Sequence, residues 1–165
     1  MGNIFVLIFV GVVLAMVEVI FTSASLISPV AVVALLLSKR LTVRSSVIVY
    51  LMVTLLIDPF YGHLLGVYFI SITALLLAYN TLKRVLPYEQ LLVRIIILFL
   101  SFMIFHFFKM IMIDISSGSL VRTDGIDILL FSLPRSIIET VIFLLLDLLN
   151  SNYLGGENRS VKVKI

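Results

Sequence analysis

Apolar residues run along this chain in six stretches, 4–21, 26–37, 43–57, 64–82, 91–113 and 133–149, separated by clusters of Gly, Pro, Ser or charge. Such continuity predicts an all-α chain, an integral membrane bundle of about six transmembrane helices. A full crossing needs about 17–25 residues. The second and third stretches fall short, so each must recruit flanking residues, sit in a thinned bilayer, or re-enter inside the bundle. No linker divides the chain, which reads as a single transmembrane domain over 1–165, with 150–165 as a cytoplasmic tail. A small-residue stretch ending at Ala24 follows the first run, as in a secretory signal, but no Lys or Arg precedes it. It is read as a retained first helix.

Composition strengthens this picture. Of the 165 residues, 62% are hydrophobic and 13% charged, with a mean hydropathy of +1.26, more apolar surface than a soluble core of this size can hide. The net charge of +3 is scattered between apolar runs, which speaks against a nucleic-acid patch and for topology signals. Lys39, Arg40 and Arg44 fall in one connection, Lys83, Arg84 and Arg94 around another, and Arg159, Lys162 and Lys164 in the tail. These sides are expected to be cytoplasmic, both termini with them. The intervening connections hold only Arg122, with Arg135 just beyond the last. The sequon at Asn158 then lies on the wrong side for glycosylation and is read as chance. Tyr50, Tyr61, Tyr68, Tyr79, Tyr88 and Tyr153 are the available interfacial anchors in a chain without Trp. With no cysteine there is no disulfide framework or thiolate chemistry.

Ionisable residues inside apolar runs are costly and therefore informative: Glu18, His106, Lys109, Arg135, Glu139 and Asp147. At about 1.5 Å of rise per residue, Glu18, Lys109, Arg135 and Glu139 share the outer third of the bilayer. Arg135 and Glu139 are spaced i, i+4. Two readings stay open: a polar outer cavity or docking site, and a neutralised cluster in which Lys109 snorkels outward and Arg135 pairs with Glu139. Lys109 is expected to pair with Glu18 or Glu139. His106, among Phe99, Phe102, Phe105, Phe107 and Phe108, has no carboxylate that spacing assigns to it and reads as a core histidine. Asp147 lies near the cytoplasmic interface and needs no special role. Gly11, Ala15, Glu18 and Thr22 make a small and polar stripe on the first helix that should face protein. Asp114, Asp124 and Asp127 read as a solvated outer loop, not a metal site. No phosphate loop, dinucleotide fingerprint, zinc spacing or nucleophile elbow stands in a supporting context, so the expected role is noncatalytic, without cofactor or metal.

The most distinctive segment joins the third and fourth runs, where Asp58, Gly62 and Gly66 recur every fourth residue. Asp58 followed by Pro59 suits a helix start, and Gly62, Gly66, Thr73 and Asn80 suit a packed face on a central fourth helix. On that reading Gly66→Leu wedges the fourth helix from its neighbour. This arrangement, with Pro134 opening the last span, resembles the MreD family of bacterial rod shape-determining membrane proteins. The resemblance implies a scaffold in the cytoplasmic (inner) membrane, acting in cell elongation and peptidoglycan synthesis through MreC. A wider complex with MreB, RodA and a class B penicillin-binding protein is implied with it. The competing reading is the substrate-binding subunit of an energy-coupling-factor vitamin transporter, which has a similar architecture. Glu18, Lys109, Arg135 and Glu139 would then line its ligand pocket.

Overall fold

The computed structural model describes residues 2–23, 27–39, 43–61, 64–116 and 125–154. They form six helices: α1 (Gly2–Ser23), α2 (Pro29–Ser38), α3 (Val43–Phe60), α4 (Val67–Val85), α5 (Leu91–Ser116) and α6 (Gly125–Leu154). Helix α1 packs on α3, α3 on α4, α4 on α5 and α5 on α6, while α2 is inserted among α1, α3, α4 and α6. Each helix overlies one of the six apolar runs. Two of them, Leu91–Ser116 and Gly125–Leu149, are long and apolar enough to cross a membrane.

Helix α2 differs from the rest. Its ten residues extend about 15 Å, half the hydrocarbon thickness of a bilayer. Val30, Ala31, Val32, Ala34 and Leu35 are buried, and no residue of the helix is fully exposed. Small and β-branched side chains let the neighbouring helices close around it on every side. The short second run thus forms a helix largely enclosed by its neighbours. Helix α3 instead gains length by recruiting Asp58–Phe60 at its end.

Helix ends depart from the expected limits for identifiable reasons. Asp58 and Pro59 form the last turn of α3, not the first of α4. Gly66 is the N-cap of α4, with φ 109°, a left-handed conformation open to glycine and strained for most other residues. A side chain there meets nothing within 4 Å, so the expected wedge does not arise. The backbone dihedral is what calls for glycine. The buried face of α4 carries Val67, Tyr68, Ser71, Ile72, Leu75 and Tyr79. Thr73 and Asn80 are exposed, contrary to the packed face expected for them, and Gly62 lies outside the described residues. Helix α4 ends at extended Leu86 because Pro87 disfavours helix at the residue before it.

Pro134 lies inside α6 instead of opening it, with two helical turns before it. Proline leaves the Leu130 carbonyl without its helical donor. Nearby hydroxyls bond back along the helix, Ser132 to the Leu129 carbonyl, Ser136 to Ser132 and Thr140 to Ser136. Asp114 lies in α5 and Asp127 in the first turn of α6, so neither belongs to an outer loop. Asp124 lies outside the described residues, as does the tail from 155.

Polarity runs inside out along α6. Leu133, Ile137, Val141, Leu145 and Leu148 are exposed, while Ser132, Ser136, Glu139 and Thr140 are buried. Elsewhere Phe9, Ile20, Phe60 and Leu77 are more than 60% exposed, whereas Glu18 and Asp58 are 0% exposed and His106 2%.

Candidate functional site

The N-terminus of α2 organises the polar interior. The first amides of any helix have no partner within it and carry partial positive charge, and here they start inside the bundle, away from water. Ser28 occupies the N-cap position, but its side chain makes no cap hydrogen bond. Two carboxylates from other helices supply the acceptors. Glu18 of α1 accepts from the Val30 N–H at 2.9 Å and from the Ser28 hydroxyl at 2.8 Å. Glu139 of α6 accepts from the Ser28 N–H at 2.8 Å. Both carboxylates are fully buried, and their charge is met by the helix terminus they cap. Hydrogen bonds to an ionised group contribute about 1.5–3 kcal/mol each.

Side chains from α4 and α5 complete the cluster. The Tyr68 hydroxyl donates to Glu18 at 3.1 Å and accepts from the Lys109 ammonium at 2.5 Å. Lys109 Nζ also lies 3.9 Å from Glu18 and 4.2 Å from the Tyr68 ring centroid. Of its two expected partners, Glu18 is the one in ion-pair range. Lys109 turns inward, with 11% of its side chain exposed, where snorkelling would have carried it out. The carboxylate missing for His106 is Glu139, 2.9 Å from Nε2. The Arg135 guanidinium stands over Phe131, 3.4 Å from the ring centroid, and Glu139 accepts from the Ser28 N–H and pairs with His106.

Asp58 ties the glycine segment to this cluster. From the end of α3 its carboxylate accepts from the Gly66 N–H at 2.7 Å and the Tyr68 N–H at 3.2 Å, capping α4 across the turn. This is the capping chemistry expected of Asp58, delivered from the preceding helix. It fixes the backbone of Tyr68, whose hydroxyl then reaches Glu18. On α1, Gly11 lies against α3, where an added Cβ would come within 2.9 Å of the Met52 Cβ, and Ala15 is buried. The Thr22 side chain lies outside the described residues.

A cavity of about 190 Å³ adjoins the cluster, lined by Tyr61, Tyr68, His106, Lys109 and Arg135 on its polar sides. Among the described residues, no group of three His, Asp or Glu side chains is placed to hold a metal ion.

A second charged group lies at the opposite end. Asp147 of α6 accepts from Lys39 at 2.8 Å and from Arg94 of α5. The Arg94 guanidinium stands 5.5 Å from the Tyr88 ring, and Tyr88 Oη lies 2.8 Å from Tyr79 Oη. Burial holds the Lys39 ammonium below its ordinary pKa. Asp147, expected to need no role, is the acceptor joining α2, α5 and α6. Sequence reasoning missed Ser28 and gave Tyr68 only as an interfacial anchor, whereas it is fully buried; neither is ionisable near neutral pH. A Ser-Pro pair opening an apolar run was the available signal for Ser28.

Compared with models of known protein families, with curated proteins and with solved structures, the chain matches none.

Proposed function

We propose that this chain is a noncatalytic multi-pass scaffold of the bacterial cytoplasmic membrane. It would serve the cell-elongation machinery as the MreD family does, through MreC. The observation that carries the membrane reading is the inverted polarity: large apolar side chains face outward along the helices, while carboxylates, a histidine and hydroxyls are enclosed. Water would penalise such a surface, whereas lipid would not. The basic end formed by Lys39, Lys83, Arg84 and Arg94 supports a cytoplasmic location for both termini. Helix α2 then belongs to the class of broken membrane helices, whose termini are tolerated at depth because protein groups satisfy them.

The elongation reading rests on the segment from Asp58 to Gly66, the part of the chain that resembles the family. Its conformational role, a carboxylate closing a tight turn between two helices, suits a rigid scaffold. The buried carboxylates serve helix ends and pairs, which leaves lateral surfaces as the means of action. The cavity is also smaller than the roughly 300–1,000 Å³ that encloses a drug-sized ligand, which weighs against a vitamin-binding subunit.

Mass spectrometry of proteins co-purifying with the tagged chain from gently solubilised native membranes tests this reading. Recovery of MreC with cell-wall synthesis proteins is expected. Recovery of paired ATPases with a transmembrane coupling subunit would contradict it and make the chain a transporter component.

A further inference from the structure

The wall of the 190 Å³ cavity has an electrostatic sign that the cluster as a whole does not. Lys109 and Arg135 both line it, with the hydroxyl-bearing Tyr61 and Tyr68 and the imidazole of His106. Among the described residues, none of the carboxylates does. Glu18 and Glu139 lie behind this wall, bonded to the start of α2, to Tyr68 and to His106, and Asp58 is bonded to the amides of Gly66 and Tyr68. The negative charge that balances the cluster is thus held away from the cavity, while the positive charge borders it. With low-dielectric walls around it, such a cavity favours an anion.

We propose that this cavity binds a phosphoryl group, with Lys109 and Arg135 as its cationic contacts. The volume is right for a small polar head, being equivalent to about six waters at roughly 30 Å³ each, and too small for a whole drug-sized ligand. One wall is apolar, made by Met110, Ile113 and Phe131, and the outward faces of the same two helices expose Phe107 and Leu130. A phospholipid would leave its phosphate in the cavity and lay its chains along α5 and α6. The lipid source rests on the membrane reading above but not on any protein partner. Inorganic phosphate offers the same chemistry from the aqueous side.

The test uses the full chain, first checked for retention in alkaline-washed membranes, so that a failure of the membrane reading is seen separately. The detergent-purified protein is incubated with phosphatidylglycerol or with an uncharged diglucosyl diacylglycerol, and bound lipid is measured by native mass spectrometry. In a second arm, thermal unfolding is followed with sodium phosphate against sodium chloride at equal ionic strength. Arg135→Gln is the test variant, because Lys109 is tied into the fold through Tyr68; its unfolding midpoint without ligand serves as the folding control. The expected result is at least about tenfold preferential retention of phosphatidylglycerol by the wild type, lost in Arg135→Gln. Stabilisation by phosphate alone, absent in Arg135→Gln, supports the phosphoryl site and assigns its source to water. No preference in either arm, or responses unchanged by Arg135→Gln, would overturn the proposal.

Discussion

The two charged groups of this protein use similar side chains for different ends. At the start of α2, Glu18 and Glu139 are fully buried, and each gives one oxygen to a backbone N–H at the start of a helix that begins inside the bundle. At the other end, Lys39, Arg94 and Asp147 remain partly exposed, with side-chain exposures of 29%, 29% and 16%, and bond to one another. The first arrangement satisfies groups that have no alternative partner. The second joins groups that water can also solvate. Burial and the nature of the partner, not the charge count, set how much each contributes.

The largest expected effect follows from breaking the buried side. Glu18→Gln keeps the volume but turns one acceptor into a donor facing Val30 N–H, Ser28 Oγ or Tyr68 Oη, and leaves Lys109 without its counter-charge. Removing one partner of a buried charged pair costs about 3–5 kcal/mol, so the variant is expected to unfold at a markedly lower temperature in detergent or to aggregate on extraction. Near-wild-type unfolding would show that the cluster is dispensable.

Gly66 separates two accounts of the same segment. With φ 109° and nothing within 4 Å of an added Cβ, Gly66→Ala and Gly66→Leu should cost about the same, about 1–2 kcal/mol for a left-handed L-residue. Gly66→Asn should cost less, because asparagine tolerates this conformation. Thermal unfolding of the three variants checks it; a much larger loss for Leu than for Ala would restore steric wedging. Gly11→Ala is the opposite case. There the Cβ meets that of Met52, which the backbone of α3 holds in place, and overpacking of about 1–3 kcal/mol is expected to outweigh the higher helix propensity of alanine. Comparable unfolding of Gly11→Ala and wild type would mean that α1 and α3 separate easily.

At the exposed end Lys39→Met should change stability by less than about 1 kcal/mol, and the difference should shrink as salt is raised from low to physiological concentration. A loss as large as that of Glu18→Gln, or one indifferent to salt, would erase the contrast between the two groups.

Much of the architecture was legible because long apolar runs bounded by Gly, Pro, Ser or charge mark helices, and all six runs carry one. Their ends were less so. Helices α5 and α6 continue past their apolar limits to Ser116 and back to Gly125, since backbone hydrogen bonding does not stop where hydropathy does. Pro134 was misplaced because a proline in a first helical turn and a proline inside a helix look alike in sequence. Glu18, Lys109, Arg135 and Glu139 were identified from their cost in an apolar run, and the pairing of Lys109 with Glu18 with them, but the other partners were not. His106 and Glu139 lie 33 residues apart and Ser28 and Glu139 111 apart, pairings that depend on how helices pack. Asp58 was recognised as a helix cap from its chemistry, whereas the helix that presents it became clear only from the fold.

The central claim is that Glu18 acts by capping the enclosed start of α2. A double-mutant cycle between Glu18→Gln and Ser28→Ala, read as unfolding free energies in one detergent, tests it most directly. The account predicts non-additivity of about 1 kcal/mol or more, because the two side chains share a hydrogen bond. Additive losses within about 0.3–0.5 kcal/mol, the range for independent sites, would contradict it.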